Sequence, residues 1–136
     1  EDQESKQMVD HDSEYLPRAR SWWNTQQSGT EYEYKGLEET LKYMASVMQN
    51  GTAFDGILGF SQGGVLATIL CLLRKHPTYF EKTFNLSSDV MKQLTSNQFK
   101  FAWIVAGFMP RCNKLVPLLH DIASEKKQNA KIDDIP

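Results

Sequence analysis

Five residues, Gly59-Phe60-Ser61-Gln62-Gly63, match G-x-S-x-G, the pattern that sets a serine hydroxyl on a sharp turn between a strand and a helix. The chemistry such a residue could do is nucleophilic. A serine attacks an acyl carbon when a base takes its proton and amide donors receive the charge that develops on oxygen. Side chains two positions to either side of the serine would collide with neighbouring backbone in such a turn. Gly59 and Gly63 are therefore expected to remove them. The main-chain amide of Gln62 is the natural first donor to an oxyanion, at the positive end of the following helix, and Gly64 eases the chain into that helix. A glycine-rich turn with an incidental serine would carry the same letters, so the flanking segments have to decide.

Those segments fit the reactive turn. Phe54 to Phe60 is a short apolar run bounded by glycines, of a length suited to a strand buried on both faces. Val65, Leu66, Ala67, Ile69, Leu70, Cys71, Leu72 and Leu73 then form a nearly all-apolar segment up to Arg74, Lys75 and Pro77, which reads as a buried helix with cations in its last turn. Upstream, Leu37, Leu41, Met44 and Met48 recur at helical spacing and predict an amphipathic helix over 36–49, stopped by Asn50 and Gly51. Residues 77–98 are polar and mixed and read as a connection with a short helix near Val90 to Leu94. Phe99 to Gly107 is β-branched, aromatic and closed by glycine, a second strand. Leu115, Leu118, Leu119 and Ile122 mark a last helix entered near Pro117. The order helix, strand, helix, strand, helix argues for an α/β fold with a parallel sheet and flanking helices.

The second strand should end beside the serine turn, which makes Phe108 and Met109 candidates for the wall of a substrate pocket; a plain core role fits them equally. Trp22 and Trp23 are too apolar to float free. They read as an anchor for the leader, with a part in an acyl pocket as the alternative.

A serine nucleophile needs a base, and none of the three histidines is well placed. His76 lies fifteen residues along the helix from Ser61, roughly 20 Å away at about 1.5 Å per residue. His120 falls within the last helix and His11 in the polar leader. Asp55 sits at the far end of the strand, roughly 20 Å from the turn at about 3.3 Å per residue, and reads as a turn carboxylate; Asp121, Asp133 and Asp134 read as solvated.

Composition sets the outer bounds. A chain of 136 residues fits one domain, 1–136, with residues 1–20 a polar loop leading into it. Fifteen basic against seventeen acidic side chains leave a net charge of −2, which gives no electrostatic argument for nucleic acid or an anionic membrane. No stretch is apolar enough to span a bilayer or to serve as a signal peptide. Cys71 and Cys112 form no C-x-x-C pair, so the expectation is reduced thiols in a cytoplasmic protein, with the nucleus open as a second compartment, and no metal site. Asn50-Gly51-Thr52 and Asn85-Leu86-Ser87 fit the glycosylation sequon, a pattern that arises often by chance.

Taken together, Ser21-Trp22-Trp23-Asn24, Glu33-Tyr34-Lys35-Gly36-Leu37-Glu38-Glu39-Thr40, the run from Phe54 to Gly64, and Phe99 through Arg111 resemble the serine hydrolase FSH family of α/β hydrolases. The resemblance covers about residues 15–136. It implies a carboxylic-ester hydrolase acting on a small-molecule ester through an acyl-enzyme, without metal or organic cofactor, with Ser61 as nucleophile and Gln62 as oxyanion donor. It also implies an early strand with a His-Gly loop and later strands bearing the catalytic Asp and His. Two strands are too few to close the sheet behind such a turn. The expectation is therefore a partial α/β-hydrolase domain, lacking N- and C-terminal strands and inactive by itself. Acyl-protein thioesterases share Gly-Phe-Ser-Gln-Gly-Gly and are the alternative enzyme; a non-catalytic module that keeps the turn as architecture is the alternative of another class.

Overall fold

A computed structural model describes residues 20–49, 54–96 and 99–132. The polar leader, the Asn50-Gly51 stop, His11, Asp133 and Asp134 lie outside the described residues.

The chain starts with a hairpin that the sequence reading left unassigned. Strands β1 (Asn24–Ser28) and β2 (Glu31–Lys35) pair antiparallel, Ser28 opposite Glu31, and Gly29 takes φ +58° in the turn between them. β1 is exposed along its whole length. β2 is held by Tyr34, which is buried, and by a bridge from Tyr32 to Cys112, where the amide of Asn113 donates to the Tyr32 carbonyl at 2.8 Å. Helix α1 (Leu37–Gln49) follows, as its spacing predicts, with Glu38 and Glu39 in the first turn, where carboxylates suit the macrodipole, and Leu37, Leu41, Ala45 and Met48 buried.

Strands β3 (Gly56–Phe60) and β4 (Phe101–Val105) form a parallel pair in which Gly56 faces Phe101 and Phe60 faces Val105. Helix α2 (Gln62–Lys75) crosses back over this sheet and packs on both strands. Its Val65, Leu66, Ile69, Leu70 and Leu73 form the centre of the core, joined by residues from every other helix.

Two expectations change. The region 77–98 holds two helices, α3 (Pro77–Phe84) and α4 (Ser88–Ser96); α4 takes in the short helix expected near Val90 to Leu94, and α3 replaces the rest of the expected connection. Pro77 ends α2 and opens α3 at once, since proline is tolerated in a first turn; Phe80 and Phe84 stack at 5.4 Å, and Met91 and Leu94 seat α4 on α1. Nor are the strands buried on both faces. Helix α2 packs on the face bearing Ile57, Gly59, Ala102 and Ile104, although Ile104 at its edge is still 47% exposed, while Leu58, Phe60, Phe101, Trp103 and Val105 share the opposite face and are 47–67% exposed. Helix α5 (Val116–Ile132) closes the described chain, with Leu115 and Leu118 buried. No helix of the described residues is long and apolar enough to cross a membrane.

Candidate functional site

The parallel ladder runs one residue past β3: the Ser61 amide donates to the Val105 carbonyl at 2.9 Å. There the backbone breaks sharply. Ser61 adopts φ +51°, ψ −119°, a combination that side-chain-bearing residues rarely hold, and its carbonyl at once accepts from the amides of Gly64 (2.9 Å) and Val65 (3.2 Å) to start α2. A helix started this way leaves its first amides without partners. Those of Gln62 and Gly63 have no acceptor among the described residues, and the exposed Ser61 hydroxyl makes no capping bond. An exposed hydroxyl thus stands beside two free N–H groups at the positive end of a fourteen-residue helix.

The glycines divide differently from the expectation. A Cβ on Gly59 would lie 2.2 Å from the Gly63 carbonyl oxygen and 2.7 Å from the Gly64 nitrogen, so position 59 admits no side chain. A Cβ on Gly63 would meet only Trp22 Nε1, at 3.6 Å, an ordinary contact, so position 63 has room for a small side chain. Gly56 is also tight, against the Phe101 ring, as are Gly64 and Gly107, whose Cα atoms let the start of α2 and the segment after β4 touch.

Gln62 does more than offer its main-chain amide. Its side-chain Oε1 accepts from the Trp22 amide at 2.8 Å and its Nε2 donates to the Trp23 carbonyl at 3.0 Å, across about forty residues of sequence. The Thr40 hydroxyl donates to the Trp22 carbonyl. Trp23 is buried and stacks on Tyr34 at 4.8 Å, so the anchoring reading holds for it, whereas Trp22 stays 39% exposed. Spacing in sequence gave no signal for this clamp.

Phe108 and Met109 leave β4 at the end where Ser61 is bonded, and both are exposed among the described residues. The Arg111 guanidinium lies between the rings of Phe108 (5.0 Å) and Tyr32 (4.8 Å), while its amide donates to the Tyr34 hydroxyl at 3.0 Å. Burial pushes the Tyr34 hydroxyl above its ordinary pKa, opposed by that bond from Arg111, and burial likewise pushes the Cys112 thiol up. A cleft of about 240 Å³ between Tyr34, Gly36, Phe84 and Cys112 opens on the hairpin side, and Ser61 does not line it.

The two described histidines and Asp55 stand apart from the serine. His76 joins α2 to α3 at the far end of α2, and His120 is exposed on α5. Asp55 pairs with Lys100 at 2.6 Å, both side chains more than 70% exposed, the surface role expected of it. Among the described residues no three His, Cys, Asp or Glu side chains are grouped to hold a metal.

The family model described as serine hydrolase (FSH1) matches residues 1–133. The chain belongs to this family. Esterase OVCA2 of zebrafish is 32% identical over 100 residues and that of human 38% over 99, each alignment taking in 68% of this chain and 37% of the relative. The chain therefore spans under two fifths of the length of these curated relatives. No solved structure matches it.

Proposed function

We propose that this FSH1 chain carries the nucleophile and one half of the oxyanion site of a carboxylic-ester hydrolase built on the α/β-hydrolase fold. The observation that carries the reading is the Ser61 turn: φ +51° between a parallel strand and a helix whose first two amides are unpaired. Ser61 Oγ attacks the ester carbonyl carbon and its proton passes to a base. The oxyanion is received by the Gln62 amide, the tetrahedral intermediate collapses with loss of the alcohol, and water then cleaves the acyl-serine to release the acid. No cofactor takes part in that sequence.

No described histidine serves as the base, since His76 closes α2 at its far end and His120 is exposed on α5; the reading takes the base and its orienting carboxylate from residues beyond those described. Two further points support the assignment: relatives of this chain are named esterases, and Phe108 and Met109, which follow β4 at the Ser61 end, are apolar and exposed, as contact with an acyl or alkyl chain requires. The site would be that of an intracellular enzyme, with both thiols free.

The test is labelling of the full-length protein with a fluorophosphonate, followed by peptide mapping. The adduct should sit on Ser61 and vanish in Ser61→Ala. Absence of an adduct on Ser61 in a folded, full-length protein would remove the enzyme reading. Ser61-dependent ester turnover by the 136-residue chain alone would refute the external base.

A further inference from the structure

The Gln62 side chain is in an unusual position for a residue beside a reactive serine: both of its polar atoms are engaged, and neither faces the place where substrate would sit. Oε1 accepts from Trp22 N and Nε2 donates to Trp23 O, so one side-chain amide clamps the main chain where it bends at residues 22–23, just before β1. With the Thr40 hydroxyl on the Trp22 carbonyl, both polar main-chain groups of Trp22 are fixed, one by α2 and one by α1.

Trp23 goes inward, 4% exposed and stacked on Tyr34. Trp22 goes outward with its indole Nε1 3.6 Å from where a Gly63 side chain would start, two residues from Ser61. A ring this large, pinned by its backbone and left 39% exposed, contributes less through burial than its neighbour does. What the three hydrogen bonds fix is its place beside Ser61.

Resting on the ester-hydrolase reading above, we propose that Trp22 is a specificity-determining wall for the apolar chain of the ester, and that the Gln62 side chain is the positioning residue that holds it there. The two roles of Gln62 are separable, because the oxyanion donor belongs to its main chain and survives any side-chain substitution. A methionine at 62 keeps the length and loses both hydrogen bonds.

The experiment uses the full-length protein with p-nitrophenyl acetate and p-nitrophenyl octanoate. The readout is the ratio of the two kcat/KM values, which loss of folded enzyme does not move. In Gln62→Met and in Trp22→Ala the octanoate-to-acetate ratio should fall about tenfold, the size of losing one to two net hydrogen bonds or a comparable apolar contact, and the fall should lie in KM. The double variant should be no worse than Trp22→Ala, and Trp22→Phe should restore most of the ratio. Independently of activity, hydrogen exchange at the Trp22 amide should quicken at least tenfold in Gln62→Met. Unchanged exchange would overturn the clamp; faster exchange with an unchanged ratio, or additive effects in the double variant, would overturn the wall. A wild type whose Ser61 takes no fluorophosphonate removes the ester-hydrolase reading and the wall together, while the exchange result still decides the clamp.

Discussion

Alanine substitutions at Gly59 and Gly63 should separate two residues that the motif treats alike. At position 59 the added Cβ would lie 2.2, 2.5 and 2.7 Å from three main-chain atoms of Gly63 and Gly64, none of which can swing aside as a side chain would. Overpacking of a tight interior costs about 1–3 kcal/mol, and a clash with backbone on three sides belongs at the top of that range, about 3 kcal/mol. At position 63 the nearest atom is Trp22 Nε1 at 3.6 Å, and the residue is in the first turn of α2. There alanine is accommodated and gains up to about 1 kcal/mol in helix propensity. The two variants should differ by about 3–4 kcal/mol, which at roughly 3 °C per kcal/mol is about 10 °C in thermal midpoint. Circular dichroism melts of the full-length protein would measure it, with Gly59→Ala far below wild type and Gly63→Ala at or slightly above it. Midpoints for the two variants within 2 °C of each other would refute the account of the turn.

Further outcomes follow from other contacts. Asp55→Asn removes an exposed ion pair with Lys100 and should change stability by less than about 1 kcal/mol while leaving Ser61 labelling intact; a lost label would make Asp55 part of the site. Because burial raises the pKa of Tyr34 and Cys112, the unfolded chain releases these protons first. Stability should hold below about pH 8.5 and fall as pH rises beyond it, and Cys112→Ala should flatten part of that fall in urea midpoints measured from pH 7 to 10.5. In native buffer Cys71 should react with a disulfide reagent well before the buried Cys112; equal rates would contradict its burial. In the 136-residue chain taken by itself, Leu58→Lys with Trp103→Lys should reduce self-association seen by sedimentation, with the melting midpoint little changed, since both side chains are already more than 60% exposed. A large drop in that midpoint would show the sheet face to be covered.

Much of the site was legible because local chemistry dictates it. Helical spacing from Leu37 to Met48, the apolar run after Gly64 and the β-branched stretch before Gly107 each specify an element without help from distant residues. The hairpin was not assigned because β1 buries nothing; only the alternation of Tyr32 and Tyr34 and the glycine at 29 signalled it. Helix α3 was hidden by reading Pro77 as a stop alone, although Phe80 and Phe84 stand one turn apart; α4 was legible only as a shorter helix near Val90 to Leu94. The bare sheet face was misjudged because an apolar strand has the same composition whether or not something covers it. The Gln62 clamp joins residues about forty positions apart, where periodicity carries no information.

The bond from the Ser61 amide to the Val105 carbonyl makes the strained residue the last rung of the β3–β4 ladder. The conformation at φ +51° is therefore not an isolated property of a loop; it lasts only as long as the two strands stay zipped at that end. Opening of β4 by local unfolding would let Ser61 relax to an ordinary backbone angle and would silence the residue without unfolding α2. The exchange rate of the Ser61 amide should accordingly match that of the strands rather than that of the exposed turn in which its side chain stands.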